Sequence, residues 1–328
     1  KNKRNKQRKN MNNFKKIGLT ALAGSLVATS AFAGELTASG SASMSVKNTT
    51  DNGIQAYSST LGGDSSTGKA FSMNNSVYLA GSGELDNGLT VSMSFEMDQG
   101  TANNSSAGFD NHYVEVGSDA LGTLRLSGHG GSSAQSAMDT TAAGDLWNNT
   151  LGLTGGVAAA AAGDNSLFYT LPAIMDGVAI TASMSPGRAA QESHTSYGVV
   201  YTGVEGLTLK YGTGDSGAPA AEIETTTMMA SYAIGSFTAS ASHTDADKTG
   251  ADDREVTSYQ IAYTVSDNLS LTYGEETFDL TGDAVDEEVS GFGASYTTGG
   301  MTLSAQTYKA ENITTTAGAE VEKWALTA

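Results

Sequence analysis

The segment Gly212-Thr213-Gly214-Asp215-Ser216-Gly217-Ala218-Pro219 carries two spacings that elsewhere do chemistry. Gly212, Gly214 and Gly217 match the G-x-G-x-x-G turn that cradles a pyrophosphate, but that motif works only where a strand hands over to a helix facing the phosphates. The flanking residues here alternate with period two instead, Leu207, Leu209 and Tyr211 before and Met228, Ala230 and Tyr232 after. Gly214 to Gly217 also spells the G-D-S-G of a serine nucleophile, which requires a histidine base and an aspartate beside Ser216. A glycine-rich external loop explains the phrase more simply. The four histidines, His112, His129, His194 and His243, have no i, i+3 or i+4 spacing that would gather a metal. Asp245, Asp247, Gly250 and Asp253 partly match an EF-hand loop, but at its twelfth position Val256 replaces the bidentate Glu. Asp245, Asp247 and Asp253 remain candidates for a looser divalent-cation loop, with Ca2+ as the ion, and no other cofactor is expected.

The elements that must position these residues are strands. In Ser258 to Phe278, Tyr259, Ile261, Tyr263 and Val265 share one face, Ser266-Asp267-Asn268 breaks the run, and Leu269, Leu271 and Tyr273 resume it. Side chains on a strand change face at each residue, so this is a hairpin. The module recurs at Tyr197 to Tyr211, Met228 to Ala241 and Phe292 to Ala305. Counting onward from Gly34 gives sixteen strands, with short turns alternating with longer polar loops. That rhythm, with an even strand number, is what an antiparallel transmembrane β-barrel requires. All three prolines, Pro172, Pro186 and Pro219, fall in connections, where no ladder hydrogen bond is lost. Tyr169, Tyr201, Tyr211, Tyr263, Tyr273 and Tyr296 stand near strand ends, as in the aromatic girdles of such barrels. Thr208, Lys210, Gln260, Ser270 and Thr272 then face the lumen.

The first residues bear on where the chain works. Met11 to Ala33 has a basic start, a short apolar run and an Ala31-Phe32-Ala33 cleavage pattern, so it is expected to be a secretory signal peptide, with residues 1–10 an upstream extension and 34–328 the barrel. The first 33 residues hold eight of the 17 Lys and Arg and none of the 35 Asp and Glu, which leaves the remainder at −26. A surface that acidic repels nucleic acid and attracts cations. The chain has no cysteine, so no disulfide framework holds an exported fold, and a closed hydrogen-bonded barrel would supply the stability instead. An outer-membrane barrel enzyme and a secreted β-sandwich adhesin are the competing readings. The enzyme would need clustered His-Asp or Ser-His pairs, and the adhesin would be a water-soluble monomer.

Phe109 to Gly128, "FDNHYVEVGSDALGTLRLSG", resembles the strand-turn-strand passage that leads into the pore-constricting third loop of Gram-negative general porins, particularly the alphaproteobacterial type. The resemblance implies a sixteen-stranded barrel with a long in-folded third loop, usually trimeric, passing small hydrophilic solutes and ions through the bacterial outer membrane. It also implies contact with lipid and lipopolysaccharide, to whose phosphates divalent cations at the acidic loops would bridge. Residues 129–164 become the constriction loop. Asp139, Asp145, Asp164 and Arg125 would form the constriction, with Asp139 and Asp145 facing Arg125 across the pore, Asp164 closing the loop, and Lys47, Lys210 and Arg188 as further lumenal bases. Excess acid would make the pore cation-preferring. Two features depart from the family pattern: arginine is scarce, and the chain ends on "EKWALTA" rather than an aromatic residue, so a C-terminally truncated copy is expected.

Overall fold

The computed structural model describes residues 35–51, 68–98, 109–138, 140–149, 151–153, 156–187, 192–218, 221–249 and 253–328. The signal-peptide region, Asp139 and Arg188 lie outside them. Sixteen antiparallel strands pair in chain order: β1 (Glu35–Asp51), β2 (Gly68–Glu84), β3 (Thr90–Asp98), β4 (Phe109–Ser118), β5 (Gly122–His129), β6 (Ser166–Thr170), β7 (Val178–Ser185) and β8 (His194–Tyr201) form one half. β9 (Leu207–Ala218), β10 (Ala221–Ile234), β11 (Phe237–Lys248), β12 (Arg254–Ser266), β13 (Leu269–Leu280), β14 (Glu287–Thr298), β15 (Met301–Glu311) and β16 (Glu320–Thr327) form the other. β1 pairs with both β2 and β16, so the sheet closes into a barrel with no free edge. Closure satisfies backbone polar groups that lipid cannot.

The turns follow from local chemistry. Gly235 (φ 58°) and Gly299 (φ 59°) sit in the two-residue links β10–β11 and β14–β15, where primed hairpin turns need positive φ. The alternation then decides which face is wet. Ile261 is 58 % exposed, Tyr259 57 % and Tyr232 48 %, all on the outside, while the opposite faces of the same strands carry Ser258, Gln260, Ser231 and Thr227. Apolar outside and polar inside is the pattern of a barrel in a membrane. Tyr211, Tyr263, Tyr273 and Tyr296 are all exposed on the outer face. Ile261 pairs with Tyr273 and Ala262 with Thr272, so register places Ser270 and Thr272 on the inner face.

The buried apolar cluster lies inside the barrel. Ala143, Leu146 and Leu151 from the β5–β6 connection pack against Val256, Phe278, Val289, Tyr308 and Val321 of the wall, with Trp147, Leu153 and Val157 alongside. This connection is therefore folded inward, and its packing is the barrel's internal core.

Candidate functional site

The β5–β6 connection runs along the inner wall as a strap held at successive strands. The backbone N–H of Ala134 donates to Ser183 Oγ of β7 at 2.9 Å, and that of Gln135 to Ser196 Oγ of β8 at 3.0 Å. Gln135, fully buried, donates through Nε2 to Thr227 of β10 at 2.7 Å and accepts Ala160 N–H at 2.8 Å through its own oxygen, tying the outgoing half of the strap to the returning half. Ala142 and Ala143 donate to Ser242 of β11 and Ser258 of β12. Glu276 of β13 takes two further N–H groups, from Leu146 and Trp147, each at 2.9 Å. Arg254 donates to Gly156 O and Lys323 of β16 to Asn149 O. Inner-face serines, threonines and carboxylates thus satisfy a loop backbone that would otherwise be buried unpaired.

Small residues let the strap lie this close. A Cβ at Gly274 would stand 2.7 Å from Ala143 Cβ, and one at Gly212 would stand 2.7 Å from Met138 Cγ and 2.8 Å from Gln135 Cα. Both glycines are on the inner face, so any larger residue would push the loop towards the lumen.

Among the described residues the strap is held by side chains of β7 to β16 and leaves the wall of β2 to β5 bare. There Glu96 accepts Tyr78 Oη at 2.6 Å and Asn111 Nδ2 at 2.7 Å. Arg125 donates through Nε and Nη2 to the same oxygen of Glu115, Oε2, at 2.9 Å each, and its guanidinium lies 4.1 Å over the ring of Tyr113. His129 at the loop's start lies 3.2 Å from Asp110 and 3.6 Å from Asp164 at its end, next to the Gly131–Gly163 bridge that joins the two ends.

The residues singled out in the sequence divide as follows. Arg125 is lumenal, on the bare wall. Asp145 is exposed on the strap, where it accepts Thr141 Oγ1 at 2.9 Å and Trp147 Nε1 at 3.3 Å. Asp164 closes the loop at its root, on the same side as Arg125. Lys47 and Lys210 are half-buried and point inward, since Val46 and Tyr211 beside them belong to the outer face. Asp245 and Asp247, expected in a loop, are strand residues, because β11 runs on to Lys248. They face outward, Asp245 opposite Glu255 and Asp247 opposite Glu224, and Asp253 instead accepts the Lys248 N–H. Among the described residues no three His, Asp or Glu converge as a metal site, so the expected Ca2+ finds no preformed cage. The glycine-rich phrase is likewise strand rather than loop, running through β9 to Ala218. Asp215 does pair with His194 at 2.6 Å, but neither makes a hydrogen bond to Ser216, so no triad forms among the described residues.

Register also relocates much of the acid. Asp215, Glu224 and Asp247 form one cross-strand row on the outer face, and Asp245, Glu255 and Asp279 another. Part of the chain's large negative charge therefore lies outside the lumen, and local placement must replace the total in any argument about selectivity. Glu276 and Gln135 were missed in the sequence. Glu276 was visible as an inward carboxylate two residues after Gly274, and Gln135 as the one long polar side chain in a run of small residues.

A sequence profile described as Gram-negative porin matches residues 18–328. No curated protein sequence matches the chain significantly. Among solved structures, a refined porin superposes with a TM-score of 0.64 at 17% identity, covering 89% of this chain and 99% of its own. OmpT of Vibrio cholerae gives 0.62 at 13%, covering 92% and 99%. An anion-selective porin from Comamonas acidovorans gives 0.61 at 12%, covering 88% and 98%. The profile spans nearly the whole chain, and the closed sixteen-stranded barrel matches these porin structures in fold. The chain belongs to the Gram-negative porin family, non-enzymatic channels of the bacterial outer membrane.

Proposed function

We propose that this barrel is a general diffusion pore for small hydrophilic solutes and ions, with a preference for cations. The observation that carries the reading is the local charge around the strap. Asp145 is exposed on it, Asp164 stands at its root, and Glu96 and Glu115 line the facing wall. Arg125's charge is offset by Glu115, and Arg254 and Lys323 are held against the strap backbone at Gly156 O and Asn149 O, so Asp145, Asp164 and Glu96 are the local acids on which the reading rests, with Lys47 and Lys210 as the other inward bases. A narrow lumen bounded by low-dielectric walls concentrates the counter-ion of its fixed charge. The fold does not decide this by itself, since the Comamonas acidovorans structure of the same fold is described as anion-selective. The reversal potential of the reconstituted channel across a KCl gradient tests the preference. A potential of the sign set by K+ movement supports it, and one set by Cl− overturns it while leaving the pore intact.

Assembly as a homotrimer within lipid and lipopolysaccharide belongs to the same reading. Its support is an asymmetry of the outer face. β8 to β14 present Tyr197, Tyr211, Tyr232, Tyr259, Tyr273 and Tyr296, whereas β1 to β3 present Leu36, Met44, Phe71, Met73 and Met93. The tyrosine-lined arc suits a lipid interface and the other arc a second copy. Cross-linking in detergent, read as monomer against trimer, checks it.

A further inference from the structure

The bare wall opposite the strap holds more than a charge pattern. A cavity of about 450 Å³ opens there between β2 and β6, within the size range of small-molecule sites, and the first residues of the strap, Gly130 to Ser132, close one side of it. Its polar groups are held in advance. Tyr113 stacks under Arg125, and both donated bonds of the guanidinium go to one oxygen of Glu115. That leaves Glu115 Oε1 and Arg125 Nη1, at the two ends of the ion pair, with no protein partner among the described residues. Glu96, kept in place by Tyr78 and Asn111, adds a second carboxylate in the same cavity.

We propose that this cavity is a solute-binding subsite for α-amino acids, and for basic ones above all. A carboxylate oxygen and a guanidinium nitrogen left open at the two ends of one ion pair can take an α-ammonium and an α-carboxylate respectively, each through a charge-assisted hydrogen bond. Glu115, Glu96 and Arg125 sum to one negative charge, which the side-chain ammonium of lysine or ornithine balances at Glu96. Because the strap lies against the other walls, a solute crossing the constriction passes this face. The site is fixed by strand residues and by stacking, so little order is lost when it fills.

The inference rests on the diffusion reading, and the test separates the two. The purified full-length chain is reconstituted in planar bilayers and probed with L-lysine, glycine, n-butylamine and butyrate, and lysine binding is measured independently by calorimetry in detergent micelles. Conductance steps establish the pore. Lysine is expected to interrupt the current at concentrations roughly tenfold below those of n-butylamine, the single-group analogue of its cation, with glycine between them and butyrate weakest. Arg125→Gln and Glu115→Gln are each expected to raise the half-blocking concentration and the calorimetric Kd roughly tenfold. Heat-modifiable gel migration confirms that each variant is a folded barrel. Should a substitution prevent folding, the ligand series on the unaltered protein still decides. Clear steps with lysine no more effective than n-butylamine overturn the subsite and leave the pore standing. Lysine binding by calorimetry without conductance steps supports the subsite and overturns the pore.

Discussion

Glu276 accepts the backbone N–H of Trp147 at 2.9 Å while only 1 % of the residue is exposed, so a deeply buried carboxylate of the wall is spent on holding the strap. The same side chain takes the N–H of Leu146, and the two bonds fix the stretch that carries Asp145. A buried charge is tolerable only when its partners are in place, and here the partners are the loop itself.

Replacing Glu276 by Ala removes both acceptors and strands two buried N–H groups, a loss of about 1–3 kcal/mol for each. The barrel ladder does not depend on them, so the variant is expected to fold, with the strap loosened. Single-channel traces should show added current noise and conductance substates that the unaltered protein lacks. Glu276→Gln retains one acceptor oxygen and should fall between the two.

Gly212 and Gly274 predict a change of opposite sign. A Cβ at either position meets strap atoms at 2.7 Å. Gly212→Val and Gly274→Val should therefore displace the strap into the lumen and lower the unitary conductance, with no increase in substates. A series of neutral sugars of graded size would read the narrowing as an earlier cut-off.

The register assigns Ile261 to lipid and Thr272 to the lumen. Ile261→Lys is expected to cost about 2–4 kcal/mol near the bilayer midplane. Thr272→Lys should fold normally and alter only the ion preference. Urea midpoints of refolding into lipid vesicles compare the pair, and equal loss in both would mean that the two faces are interchanged.

Asp145 and Asp164 carry the selectivity prediction. Asp145→Asn together with Asp164→Asn is expected to reduce the K+/Cl− permeability ratio, with the larger share from Asp145, which is exposed on the strap. The outer-face change Asp247→Asn, on an acid that register turns away from the lumen, should leave that ratio unaltered.

Much of this architecture is legible in the sequence because a strand's period is local. Leu207, Leu209 and Tyr211 declare one face and Thr208 and Lys210 the other without any knowledge of what they touch. Sixteen such runs, with Gly235 and Gly299 at tight turns, already imply a closed barrel, and the phrase from Phe109 to Gly128 locates the long loop. Which charges meet was not legible, because those contacts join residues far apart in the chain. Glu276 meets Trp147 across 129 positions and Lys323 meets Asn149 across 174, through a strap path that no local period encodes. The count of acids was equally blind to direction. A shift of one residue exchanges lumen for exterior, so Glu224, Asp247 and Glu255 lie on the outer face only because hydrogen-bond register sets them there. Composition and alternation determined the barrel and its two faces; closure and the strap's docking decided which side chains line the pore.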